Sequence, residues 1–96
     1  MYQIFITRSA EKDIKKRGGN LRKEIKGLTD KLTKDPHPSQ AKRLTGELNF
    51  IFSYHFTFSG SAFRLAYTVD EKKKTITIVM IAPRENFYKI LQRKLN

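Results

Sequence analysis

Four residues in the second half of the chain have the types and spacing to act on a phosphodiester: His55, Arg64, Arg84 and Tyr88. Cleaving RNA without a metal needs a group to take the 2′-hydroxyl proton, cations to hold the scissile phosphate and an acid for the leaving 5′-oxygen. His55 is a proton carrier near neutral pH. Arg64 and Arg84 present planar guanidinium forks that match phosphate oxygens and stay charged throughout. Tyr88 can donate a hydrogen bond or proton, or stack a base beside a basic groove. Each has a plainer alternative: His55 as an ordinary surface residue, Arg64 as an ion-pair partner of Asp70 or Glu85, and Tyr88 as core.

The elements that carry His55 and Arg64 read as strands, and Arg84 and Tyr88 follow the last strand. From Phe50 the pattern has period two, with Phe50, Phe52, Tyr54, Phe56 and Phe58 on one side and Ile51, Ser53, His55 and Thr57 on the other. Ser59-Gly60-Ser61 supplies a turn, after which Phe63, Leu65, Tyr67 and Val69 alternate with Arg64, Ala66 and Thr68. The two runs form a hairpin, so His55 and Arg64 share one face near adjacent strands, within cross-strand reach for a register that aligns them. Asp70 to Lys74 is a charged turn, and Thr75 to Ala82 is a third strand, expected beside the Phe63 run. Pro83 ends it, and Glu85 to Leu95 reads as a terminal helix with an apolar stripe of Phe87, Ile90, Leu91 and Leu95.

Upstream, Tyr2 to Thr7 is a β-rich opening strand. Ser9 is the expected N-cap of a short helix from Ala10 to Arg17, stopped by Gly18-Gly19. Asn20 is the expected cap of a second helix, along which Leu21, Ile25, Leu28 and Leu32 form a stripe until Asp35-Pro36-His37-Pro38. The result is a single α+β domain over residues 1–96: strand, helical hairpin, three-stranded antiparallel meander and short C-terminal helix, with the helices expected on one sheet face.

Composition narrows the chemistry. Ninety-six residues make one domain, domains running to roughly 100–150 residues. Twenty Lys and Arg against nine Asp and Glu leave a net charge of +11, which favours a polyanionic partner and points first to nucleic acid. Lys42 and Arg43 are a further basic pair able to hold RNA, or simply a solvated surface. The chain has no cysteine and only His37 and His55 as histidines, so no common zinc set is available and no metal or cofactor is expected. Phosphate-cradling glycine loops and nucleophile elbows are absent. Apolar runs such as Ile76 to Ala82 fall far short of the ~20 residues of a membrane span, and no signal peptide is read, so the expected location is cytoplasmic, with no membrane partner.

Leu44-Thr45-Gly46, then Phe63-Arg64-Leu65-Ala66-Tyr67-Thr68-Val69, then Pro83-Arg84-Glu85-Asn86-Phe87-Tyr88-Lys89 resemble, in this order, the RelE/ParE toxin superfamily. Ile6 to Asp13 looks like that family's first strand and helix start. The resemblance implies a toxin of a type II toxin–antitoxin pair, and its RelE branch implies a metal-independent endoribonuclease that cuts mRNA in the ribosomal A site. It carries catalytic assistance onto Arg64 and Arg84 and a terminal-segment role onto Tyr88. His55 matches no such position, because RelE-type strands often carry lysines where this chain has Ser53, Tyr54, His55 and Thr57. The implied partners are the ribosome, its mRNA and an acidic, partly disordered antitoxin that wraps the basic surface and covers or displaces the terminal helix. The alternative is the ParE branch, which resembles this fold and poisons DNA gyrase without cleaving RNA; a non-catalytic RNA-binding module is a third class.

Overall fold

The computed structural model describes residues 1–95. Its elements are β1 (Gln3–Ile6), α1 (Arg8–Arg17), α2 (Gly19–Lys34), β2 (Ala41–Arg43), a 3-10 turn (Gly46–Leu48), β3 (Phe52–Phe58), β4 (Ser61–Asp70), β5 (Thr75–Pro83) and α3 (Phe87–Leu95). The strands form one sheet in the order β1-β5-β4-β3-β2. The β3–β4–β5 meander is antiparallel as expected, with β1 added parallel to β5 and the short β2 added antiparallel to β3.

Local chemistry explains most boundaries and corrects two caps. Thr7, not Ser9, caps α1: its hydroxyl accepts from the Ala10 N–H, and the helix starts at Arg8. Asn20 does not cap α2, which begins one residue earlier at Gly19. Gly18 alone separates the two helices, at φ +94°, in the positive-φ region that glycine adopts without a Cβ penalty. The β3–β4 turn uses Ser59 and Gly60, both at positive φ, as a tight two-residue hairpin of the primed type requires.

The sheet is covered on both faces, not one. On the first face, Ala10, Ile14, Leu21, Ile25, Leu28 and Leu32 of the helical hairpin pack on Phe52, Tyr54, Phe63, Leu65, Tyr67, Ile76, Ile78 and Ile81. On the second, Phe87 and Leu91 of α3 pack on Ile51, Ala66, Met80, Ala82 and Leu44. The amphipathic stripe of α3 was legible, but the face it would choose was not. Ile51, expected to point outward, is fully buried in this second core, while Phe50 precedes β3 and is 52% exposed. A register shift lets β5 serve both cores: Ala66 faces Met80 and Tyr67 faces Ile78, so Val79 is an extra residue that inverts the alternation. Among the described residues, no helix is long and apolar enough to cross a membrane.

Candidate active site

The polar candidates collect on the second face, on the strands β3 and β4 and at the end of β5. His55 on β3 lies directly opposite Arg64 on β4, and Arg64 lies opposite Ala82 on β5. Directly opposed residues share a face of the sheet, which puts the imidazole and the guanidinium side by side. Two residues beyond Ala82, the Arg84 N–H donates to the Ala62 carbonyl at 2.9 Å and ties the chain leaving β5 to the start of β4. His55, Arg64 and Arg84 line one open groove of about 410 Å³, together with Thr57, Ala62, Phe56 and Phe63.

Arg64 is held by aromatic faces and forms no ion pair among the described residues, so the Asp70 and Glu85 alternatives do not apply. Its guanidinium carbon lies 5.4 Å from the ring centroid of Phe87 and 5.4 Å from that of Tyr88. The two rings meet edge to face at 5.6 Å. Phe87 is buried and anchors α3, whereas Tyr88 is 51% exposed and is therefore not core. This arrangement suits a cation that must stay in place: ring quadrupoles attract the guanidinium while leaving its N–H fork free.

The electrostatics follow from the crowding of cations. Desolvation, and then the charges of Arg64, Lys42 and Arg84, hold the His55 imidazole below its ordinary pKa. A neutral imidazole at physiological pH can accept a proton. Lys42 contributes because it pairs with Ser53, two residues before His55 on β3, and so lies on the same sheet face. Arg43 does not join them. It pairs with Phe52 on the opposite face, where its guanidinium lies 4.6 Å from the Phe52 ring and Nη1 donates to the Asn49 carbonyl at 2.8 Å. The other histidine, His37, is also remote, at 2.8 Å from Glu71 and with its ring tilted against that of Phe52 at 4.9 Å.

Three features were not anticipated. Thr57 and Ala62 form part of the groove wall, and their proximity follows from the hairpin register. A second groove of about 420 Å³ adjoins the first, sharing Ala62 and Arg84 and adding Ser61, Pro83 and Glu85. Ser53, next to the site on β3, is buried and its hydroxyl has no partner among the described residues. No three His, Asp or Glu side chains gather as a metal site among the described residues.

Known proteins share this architecture. The family model described as a ParE-like toxin of type II bacterial toxin–antitoxin systems matches residues 4–92. The RelE4 protein of Methanocaldococcus jannaschii is 34% identical over 92 residues, 93% of either chain. Among solved structures, the RelBE2 toxin–antitoxin complex of Mycobacterium tuberculosis matches at 25% identity and TM-score 0.71, over 86% of this chain and 98% of that one. The isolated RelE toxin of E. coli has the same fold, with TM-score 0.68 at 20% identity over the whole of both chains. The chain belongs to the ParE-like toxin family, within the RelE/ParE superfamily of type II toxin–antitoxin systems.

Proposed function

We propose that this toxin is a ribosome-dependent endoribonuclease that cleaves mRNA in the A site and halts translation, using side chains and no metal. The observation that carries the reading is the open groove in which the His55–Arg64 cross-strand pair meets Arg84, with Tyr88 stacked on Arg64. His55 takes the proton of the 2′-hydroxyl, and the 2′-oxygen attacks the adjacent phosphorus. Arg64 and Arg84 hold the non-bridging oxygens as negative charge develops on them. The bond to the 5′-oxygen breaks, and Tyr88 supplies the proton that this leaving group takes up. The products are a 2′,3′-cyclic phosphate, open to later hydrolysis to a 3′-phosphate, and a 5′-hydroxyl. Solvent exchange resets His55 and Tyr88.

Lys42 adds long-range attraction for the phosphate backbone and acts with the rest of the +11 charge in drawing the chain to ribosomal RNA and message. Arg43, engaged with Phe52 and Asn49 on the other face, has the weaker claim to an RNA contact. A cognate antitoxin is the second partner, and an acidic segment suits this surface by charge. Support for that partner comes from the similarity to the toxin of the RelBE2 complex.

Purified ribosomes paused on a defined message test the reading. The toxin should cut within the A-site codon in the presence of chelator and leave a cyclic or 3′-phosphate end. The rival reading, a ParE-like inhibitor of DNA gyrase without nuclease activity, shares the matched family description. It predicts intact message and accumulated cleaved DNA. Gyrase binding by protein contact gives no chemical reason to join a histidine and two arginines in one groove with a tyrosine ring beside one of the arginines, which favours the nuclease.

A further inference from the structure

We propose that Glu85 reads the nucleobase beside the scissile phosphate, in the second groove; the inference rests on the nuclease reading above. Three observations carry it. First, Ala62 and Arg84 line both grooves, so a nucleotide next to a phosphate held on Arg84 is within reach of Ser61 and Glu85. Second, Glu85 forms no ion pair and accepts no side-chain hydrogen bond among the described residues, although Arg84 precedes it directly. In a groove built for a polyanion, a free carboxylate repels phosphate and lowers affinity unless it meets donors on the ligand. Third, the carboxylate stands on a fixed turn. Pro83 restricts the backbone, the Arg84 N–H is bonded to Ala62, and Asn86 adopts a positive φ of 60° before α3 begins.

The chemistry of the carboxylate selects its ligand. Two acceptor oxygens match two adjacent N–H donors, and among the four RNA bases guanine alone offers these on its Watson–Crick edge, at N1 and N2. Cytosine and adenine present one amine next to an acceptor nitrogen, which faces the second oxygen unfavourably. Uracil places its single N–H between two carbonyls and is the poorest match. Glu85 therefore acts as a specificity residue favouring guanine next to the cleaved bond, with no part in proton transfer.

The test uses the full chain on translated messages that differ only in the base on the 5′ or the 3′ side of one cleavage site, comparing the parent with Glu85→Gln. The parent should cut the guanine message about tenfold faster than the uracil message at one of the two positions. Glu85→Gln keeps the shape and loses one acceptor, so the ratio should fall to within about twofold. Equal preference in both proteins, or no preference in the parent at either position, overturns the role of Glu85 while leaving the nuclease standing. If the parent cuts no message of any sequence, the nuclease reading itself fails, and the inference goes with it.

Discussion

Lys94, on the helix that covers one face of the sheet, reaches Asp13, on a helix that covers the other, at 2.7 Å. The same Asp13 oxygen accepts from the Ile81 N–H at 3.2 Å, and Lys94 also donates to the Ser9 hydroxyl at 2.6 Å. The four-residue β1 pairs only with Thr75–Ile78, so the rest of β5 would be a bare edge without this side chain. Ser9, expected to cap α1, instead receives α3. Asp13 thus joins both layers to the strand between them. Both partners are mostly buried, so removing one leaves an under-solvated charge. Asp13→Ala should cost about 2–4 kcal/mol, more than Lys94→Met, in urea unfolding. A loss below about 0.5 kcal/mol for Asp13→Ala would show that the clasp contributes nothing.

Tyr67 separates fold from chemistry. Its ring is fully buried and stacked on Phe52, and its hydroxyl donates to the Pro36 carbonyl at 2.8 Å, fastening the loop after α2 to the sheet. Burial drives its pKa far upward, so it stays a neutral donor at any working pH. Tyr67→Phe should destabilise the chain by about 1–2 kcal/mol, through the unpaired carbonyl. Cleavage at a temperature where the variant is folded should not change. A loss of cleavage there would contradict the assignment of Tyr67 to structure alone.

Arg64→Lys keeps the charge and discards the fork and the stacking on Phe87 and Tyr88. Cleavage should fall at least tenfold, about 1.4 kcal/mol of transition-state stabilisation, with ribosome binding nearly intact. Wild-type rates from the lysine variant would mean that a bare positive charge suffices.

The histidine makes a prediction about pH. Desolvation and the cations Arg64, Lys42 and Arg84 all favour neutral His55, so its folded pKa lies below the ordinary 6.5. Proton acceptance is therefore intact above that value and declines only on acidification through the lowered folded pKa. Between the folded and unfolded pKa the unfolded chain binds more protons, so the same group makes the fold less stable as pH falls. Removing a cation by Arg84→Gln should move the His55 titration toward 6.5, followed by the imidazole C–H resonance in NMR. A titration that does not move, or that moves to lower pH, contradicts the electrostatic account.

The most legible parts of the site were those fixed by local periodicity. Alternation along Phe52 to Val69 and a glycine-containing turn were enough to put His55 and Arg64 on one face of a hairpin, while the register that sets them directly opposite comes from the two-residue turn at Ser59 and Gly60. Arg84 and Tyr88 followed from a strand end and a helix start. What remained hidden depends on contacts distant in sequence. Nothing near Val79 marks it as an inserted residue, yet that insertion lets β5 supply Ile78 and Ile81 to one core and Met80 to the other. The face chosen by α3 was hidden for the same reason, since an apolar stripe of Phe87 and Leu91 fits either side of a sheet. Three-residue β2 is too short to show alternation, so Lys42 and Arg43 read as equals until pairing with Ser53 and Phe52 sent them to opposite faces.

The central claim is that this groove cleaves translated message, and primer extension on such a message after induced expression tests it most directly, with the parent and Arg84→Ala side by side. The account predicts cuts in codon register for the parent and at least a tenfold loss for Arg84→Ala, equivalent to about 1.4 kcal/mol or more. Growth arrest by the parent with the message intact would contradict it and leave gyrase as the target to pursue.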